Sequence, residues 1–337
     1  MYEWLYQSSA ELSCATVPRD IMSRNAWVTS VDLPQAEVIM NSAFYGCGSL
    51  ETVSAPRVKY IGSYAFGSCF SLGSFTSIGP VEHIGPGAFN NCIKLTHAPG
   101  ASTVTYAGAG AFAYCSNSAF SNVEMPELVS VAPYMFSMCK SLKTASFAKA
   151  EHIGDACFYS CLSLSSIYAP NVTAIESQAF YFCSSLAEID FPKLARLGSY
   201  AFASCRSLAS VDMPLISELG ICAFAYCAKL SSARFDAVTS ISTQAFMSCY
   251  SLAYAYFGNI QFMSTEVFRN CVNLMSLYLS GSCVASISSV NVFTSTPLYN
   301  YSASTGAWGS IYVPSSLYEA YLSAPNWSLV SERITSF

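Results

Sequence analysis

Cysteine is the residue in this chain with the most chemistry to offer, and the sequence holds 15 of them. Eleven follow a phenylalanine by three places: Cys47, Cys69, Cys92, Cys115, Cys139, Cys161, Cys183, Cys205, Cys227, Cys249 and Cys271. Disulfide and metal chemistry are the two possibilities to weigh. There is no C-x-x-C pair, and the sulfurs are separated by a whole period of the pattern, so a zinc site is not expected. If the copies stack, equivalent Cα atoms fall about 4.8 Å apart. Parallel Cα–Cβ vectors then hold the Cβ atoms about 5 Å apart, where a disulfide wants about 3.8 Å. The expectation is a ladder of reduced, buried thiols acting as small hydrophobes. Cys14 and Cys157 fall on core positions as well. Cys222 and Cys283 fall where a side chain is exposed.

Other catalytic groups are sparse. His83 and His152 stand in matching E-H-I-G contexts and read as solvated positions, while His97 falls on a strand, alone. No Ser/His/Asp set and no glycine loop before a helix is present. Carboxylates pair only as repeat equivalents, such as Asp190 and Asp212. The reading is a chain without catalytic residues, metal or cofactor. The 15 Lys plus Arg are scattered singly against 20 Asp plus Glu, so nothing forms the basic stripe that nucleic acid requires. Apolar residues make up 53 % and charged ones 10 %, yet no apolar run reaches the roughly 18 residues of a membrane span. The opening MYEWLYQSSAEL has no basic n-region and does not read as a secretory signal.

What positions these residues is a repeat. The phenylalanines Phe44, Phe66, Phe89, Phe112, Phe136, Phe158, Phe180, Phe202, Phe224, Phe246 and Phe268 are spaced 22, 23, 23 and 24, then 22 throughout. One unit runs from Leu186 through Ile189, Phe191, Pro192, Leu194, Leu197, Gly198, Ala201 and Phe202 to Cys205. Its first stretch, L-x-x-I-x-F-P, alternates as a half-buried strand does and is closed by proline. The second, L-x-x-L-G, turns a corner at Gly198, where a tight or positive-φ conformation is expected. The third, A-F-x-x-C-x-x-L, has the spacing of one helical or 3-10 turn. Such a unit is too short to bury its own apolar face, so copies must stack.

At these residues the chain resembles the BspA-like leucine-rich repeat family, whose pattern is close to L-x-x-I-x-I-P-x-x-V-x-x-I-G-x-x-A-F-x-x-C. The resemblance covers roughly 28–292. It departs from ordinary leucine-rich repeats where Val58, Val172, Leu194, Ile216 and Val238 replace the usual Asn, so no Asn ladder is available. It implies an α/β leucine-rich-repeat solenoid of about 11–12 stacked coils of 22–24 residues. A parallel sheet is expected on one face, with short helical or 3-10 turns and irregular structure on the others, and capped ends. Residues 1–27 read as a degenerate repeat serving as N-terminal cap, with Cys14, Val17, Met22, Asn25 and Val28 in frame. Residues 28–292 are the array, and 293–337 comprise a polar insertion, a last strand at 308–314 and a helical cap. In that cap Ser315 or Ser316 is expected to N-cap LYEAYL.

The row of outward strand residues carries the recognition chemistry. Its fifth positions are Asp32, Ser54, Thr76, Pro99, Glu124, Ser146, Tyr168, Asp190, Asp212, Arg234, Tyr256, Tyr278 and Tyr312, and its third positions are mostly Ser or Thr, with Glu188 and Tyr254 as exceptions. Tyrosine grouped with a few charges is the composition of protein interfaces and of sugar-stacking platforms. The expected ligand site is therefore Tyr168, Glu188, Asp190, Asp212, Arg234, Tyr254, Tyr256 and Tyr278. The other reading is that tyrosine simply suits a strand face and the 293–307 insertion folds back over it. The family resemblance implies a non-enzymatic recognition or adhesion module, extracellular or on a cell surface, with a protein or glycan partner on a host or neighbouring cell. A bacteriophage tail accessory protein is the alternative.

Overall fold

The computed structural model describes residues 8–77, 79–300 and 306–337. It is a parallel β-solenoid of about 15 turns of about 22 residues, more turns than the 11–12 expected. The extra turns lie at the ends of the chain, where the sequence pattern is worn. The chain divides into two units, Met1–Asn171 and Val172–Phe337. Within each, every turn but a few contributes two short strands rather than one.

In the first unit, three-residue strands at Ser9–Glu11, Ser30–Asp32, Thr52–Ser54 and Ser74–Thr76 form one parallel sheet, and Asn122–Glu124, Thr144–Ser146 and Ser166–Tyr168 form another. Two-residue strands from Thr16–Val17 to Tyr106–Ala107 make a second sheet along the L-x-x-L-G stretches. The second unit repeats the scheme. Ser210–Asp212, Ser232–Phe235, Tyr254–Phe257, Ser276–Leu279, Ser310–Val313 and Ile334–Ser336 form a six-stranded parallel sheet. Strands from Ala174–Ile175 to Ser286–Ile287 lie along the other face. The second sheet was not expected, because two residues are too few to show alternation.

The A-F-x-x-C stretches are not helical. Their N–H groups alternate in direction: those of Tyr200, Phe202 and Ser204 bond to the next turn at Ile221, Ala223 and Ala225 (2.8–2.9 Å), while those of Ala203 and Cys205 close local turns on Tyr200 and Phe202. A helix keeps all its bonds within the segment, whereas this run shares half of them with its neighbour. The alternation places Tyr200 (φ 58°) and Ser204 (φ 62°) in the left-handed region, and the equivalent pair recurs in turn after turn, at Tyr64 and Ser68 and at Cys222 and Tyr226. Asp20 (φ 54°) and Arg24 (φ 60°) occupy the same two places, so residues 8–27 fold as a turn of the array. There Asn25 stands at the cysteine position, buried, and its Oδ1 accepts from the N–H groups of Trp27 and Val28. Residues 1–7 of the N-terminal cap lie outside the described residues.

Gly198 takes the tight conformation of the two expected. Its φ is not positive. A Cβ there would lie 2.5 Å from the Ser177 nitrogen and 2.6 Å from the Glu176 carbonyl carbon. Glycine is needed because two backbones touch at this corner.

In register, like side chains form columns. In the first unit Phe44, Phe66, Phe89, Phe112, Phe136 and Phe158 stack at centroid distances of 5.1–5.7 Å, within 13° of parallel. In the second, Phe180, Phe202, Phe224, Phe246 and Phe268 do the same at 5.1–5.6 Å, and Phe293 from the insertion extends the column at 6.3 Å. The thiols are more than small hydrophobes. Cys69 Sγ donates to the Phe44 carbonyl one turn back (3.1 Å), and Cys92, Cys115, Cys227, Cys249 and Cys271 each repeat this contact at 3.1–3.3 Å. The Phe44 oxygen already accepts from the Cys47 N–H, so the thiol fills its second lone pair. Every cysteine is a reduced thiol, outside any disulfide.

Four placements differ from the sequence reading, those of Cys222, Cys14, Ser315 and Ile334–Ser336, while Cys283 keeps its own. Cys222 is buried against Ala203 and Ala225 with Tyr181 and Met247 packed on them, where the larger Tyr64 and Tyr200 at equivalent places are exposed, while Cys14 is only half-buried. Cys283 is exposed. At the C-terminal end, the turn Ser315–Leu317 and helix Tyr318–Ser323 carry no side-chain cap; the Ser315 hydroxyl donates instead to the Phe337 carbonyl (2.8 Å). Ile334–Ser336, read as part of the helical cap, pairs as a final strand with Ser310–Val313. Trp327 and Tyr321 are buried beneath it, the indole N–H donating to Ala285 O and the phenol accepting from Ala285 N–H.

Candidate functional site

The outward row of the second unit is built by four-residue strands whose inner positions are wholly apolar. Ala233 and Phe235, Ala255 and Phe257, Leu277 and Leu279, and Ile311 and Val313 point into the core. Strand alternation then turns Arg234, Tyr256, Tyr278 and Tyr312 outward, and parallel register sets them side by side. Thr335 follows Tyr312 in the same row.

The rings are packed against one another. Tyr278 and Tyr312 stack at 4.3 Å and 9°, and Tyr254 leans on Tyr278 at 5.3 Å and 41°. The Arg234 guanidinium lies over Tyr256, 4.4 Å from its centroid, while also pairing with Asp236 (2.7 Å). Ser280 donates its hydroxyl proton to the Tyr256 oxygen (2.6 Å). Burial, first, and the neighbouring phenols Tyr312 and Tyr254 push the Tyr278 pKa above its ordinary value. Among the described residues, the ring that leans on Tyr278 from outside the sheet is Phe337, at 5.9 Å and edge-on. Of the insertion's described part, Phe293 and Leu298 turn into the core; residues 301–305 lie outside the described residues.

A row of this kind offers phenol edges and hydroxyls. The ring faces are largely spent on neighbours: Tyr278 on Tyr312, Tyr256 on Arg234. A sugar ring stacks on an open face, whereas a protein surface can meet hydroxyls and ring edges with backbone and polar groups.

The structure brings Arg234, Tyr254, Tyr256 and Tyr278 together and adds Tyr312, Phe337 and Ser280. Asp212 is exposed and in register with Arg234. Tyr168 ends a strand of the first unit and is 58 % exposed. Glu188 and Asp190 are exposed but lie in no strand, because residues 187–191 leave the sheet and Ile189 is only half-buried. Phe337 carried no sequence signal, since the strand that places it breaks the repeat period.

Two histidines are also placed differently. His83 is sandwiched between Tyr60 and Tyr106, each 4.4 Å away and nearly parallel, and burial lowers its pKa. The signal was available, since Tyr60 and Tyr106 stand 23 residues to either side of it. His97 is not on a strand. Its turn forms none in the first sheet, and its ring nitrogens lie 3.1 Å from Phe75 O and 3.0 Å from Thr96 Oγ1. Among the described residues no three His, Cys, Asp or Glu side chains gather as a metal site, and no helix is long and apolar enough to cross a membrane.

Comparison with known proteins gives the same architecture. The family model described as BspA type leucine rich repeat region matches in six copies over residues 23–143, 116–230 and 173–298. A leucine-rich repeat protein from Bacteroides ovatus shares 19 % identity over 98 % of this chain and 92 % of its own, with a TM-score of 0.73. A leucine rich cell surface protein from Faecalibacterium prausnitzii shares 24 % identity over 91 % of this chain and 86 % of its own, with a TM-score of 0.50. At these identities the likeness concerns the fold. No curated protein matches the chain.

Proposed function

The chain belongs to the BspA-type leucine-rich repeat family, and from that premise we propose that it is a non-enzymatic recognition module that binds a protein partner through the tyrosine row of its second unit. The observation that carries this reading is the packing of Tyr278 on Tyr312 and of Arg234 on Tyr256. Packed rings of this kind are preordered, so little side-chain entropy is lost when a partner docks. Their covered faces favour a protein over a stacked glycan. We place the module outside the cell, as an adhesion protein of a cell surface. The family and the cell-surface neighbour from Faecalibacterium prausnitzii support that placement.

The test separates hydroxyls from rings. The triple variant Tyr254→Phe, Tyr256→Phe, Tyr278→Phe keeps the stacks and removes three donors. Each hydroxyl contributes about 0.5–1.5 kcal/mol, so affinity for a protein partner should fall between about tenfold and about two thousandfold. The unfolding midpoint should hardly move. Fibronectin, fibrinogen and laminin immobilised for interferometry are suitable first probes. Native affinity in the triple variant would remove the tyrosine row from the interface.

A further inference from the structure

The first sheet of the first unit is interrupted. Between Ser74–Thr76 and Asn122–Glu124 one turn contributes no strand to it. The cause is local: Pro99 has no N–H to give a ladder, and Gly100 (φ 61°) folds back so closely that a Cβ on it would lie 2.3 Å from Val81 Cβ. The His97 ring, at 3.1 Å from Phe75 O, stands where a neighbouring strand's N–H would have been. In a repeat array, a turn that breaks its own rule is where function concentrates.

The interruption opens a depression of about 670 Å³, lined among others by Thr76, Ser77, His97, Ser102, Thr103 and Glu124. Thr76 also lines a second depression, of about 520 Å³, which runs over the preceding strands past Ser54 to Asp32 and Glu11. The two make one groove along the sheet, entirely within the first unit.

Its chemistry is one-sided. No Lys or Arg is among the lining residues, and three exposed carboxylates are: Glu11, Asp32 and Glu124. Two cations stand three residues from the lining in sequence, Arg57 and Lys94; Arg57 gives its guanidinium to Gln35 Oε1 (2.8 Å). The hydroxyl protons of Thr76 and Thr103 are spent on the Val53 and Val81 carbonyls, which leaves their oxygens as acceptors. An acceptor-lined groove with no cation repels anions. Its phenyl ring, Phe75, is 1 % exposed, so among the lining residues the His97 imidazole is the ring left to a sugar.

From this we infer that the groove binds an extended, lysine- or arginine-bearing peptide segment of a partner protein. From the Glu11 strand to the Glu124 strand is five turn spacings of about 4.8 Å, roughly 24 Å, which an extended chain of about seven residues spans. Donor-only cationic side chains meet the carboxylates and hydroxyl oxygens, and the small floor of Ser and Thr lets a backbone approach.

The probe is a fluorescein-labelled heptapeptide of alternating glycine and lysine, read by anisotropy against the full chain. Saturable binding is expected that weakens as salt rises, because the charges are exposed. The triple variant Glu11→Gln, Asp32→Asn, Glu124→Gln should weaken it at least about tenfold, and Thr76→Trp, which fills the middle of the groove, should weaken it as well. A control triple of equal charge change, Glu151→Gln, Glu218→Gln, Glu319→Gln, should bind as the native chain does. Equal losses in the two triples would mean unspecific attraction and overturn the inference. So would undiminished binding in the groove triple, or saturable binding of maltoheptaose with none of the peptide.

Discussion

Replacing Phe224 by alanine is expected to lower the unfolding free energy by about 3–5 kcal/mol, near the upper end for a core truncation. The ring lies between Phe202 (5.6 Å, 5°) and Phe246 (5.5 Å, 8°) and also touches Phe235 at 6.0 Å. It is fully buried. Its removal leaves a gap that the turns above and below cannot close, because their spacing is set by the backbone ladder around each turn. In a solenoid each turn contacts mainly its neighbours, so amide exchange should quicken first around Phe202 and Phe246. Urea unfolding measures the total loss. A loss under about 1 kcal/mol would take Phe224 out of the column.

The second large effect is expected at high pH. Burial pushes the Cys47 thiol up to about 11 and those of Cys92 and Cys139 up to about 12, from an ordinary value near 9. Burial raises Cys69, Cys115, Cys227 and Cys271 as well. These are acids whose folded pKa lies above the unfolded one. Their contribution to stability is complete below pH 9 and is lost as pH climbs from 9 toward the folded values, since the unfolded chain releases protons that the folded one retains. Each such thiol costs about 1.4 kcal/mol of stability per pH unit in that window. Three of them therefore remove roughly 4 kcal/mol by one unit above 9, a large share of an ordinary domain's margin. Urea midpoints measured from pH 7 to pH 10.5 should be flat to about pH 8.5 and then fall steeply. A midpoint constant across that range would mean that the sulfurs are already in water.

The columns were legible because stacking copies like onto like: a fixed spacing of Phe and Cys is itself the record of the core. The turn at 8–27 was legible by the same logic, since Val17 and Met22 keep frame although Asn25 has replaced a cysteine. What the sequence hid lies where backbone rules override side-chain pattern. Arg196–Leu197 and its equivalents are strands too short to alternate. Tyr200 and Ser204 adopt left-handed conformations that residue type disfavours, because the shared hydrogen bonds of the array demand them. Cys222 is covered by Tyr181 and Met247, contacts that the repeat pattern does not announce. The interruption at Pro99 and Gly100 carried its own signals, and the strict period elsewhere concealed them. For the recognition row, residue identity was plain while ring packing was not: sequence places Tyr256 and Tyr278 side by side, and only the geometry shows their faces already engaged.

The most direct test of the stacked, in-register core is thiol accessibility, resolved residue by residue. The native chain is treated with a small alkylating reagent at pH 7.5, digested, and its peptides weighed. Cys283 should react at once and the half-buried Cys14 more slowly, while the ladder cysteines from Cys47 to Cys271, with Cys157 and Cys222, should react only after urea unfolds the chain. Prompt labelling of Cys92, Cys139 or Cys227 in the native protein would contradict the columns, and with them the surfaces that the columns hold in place.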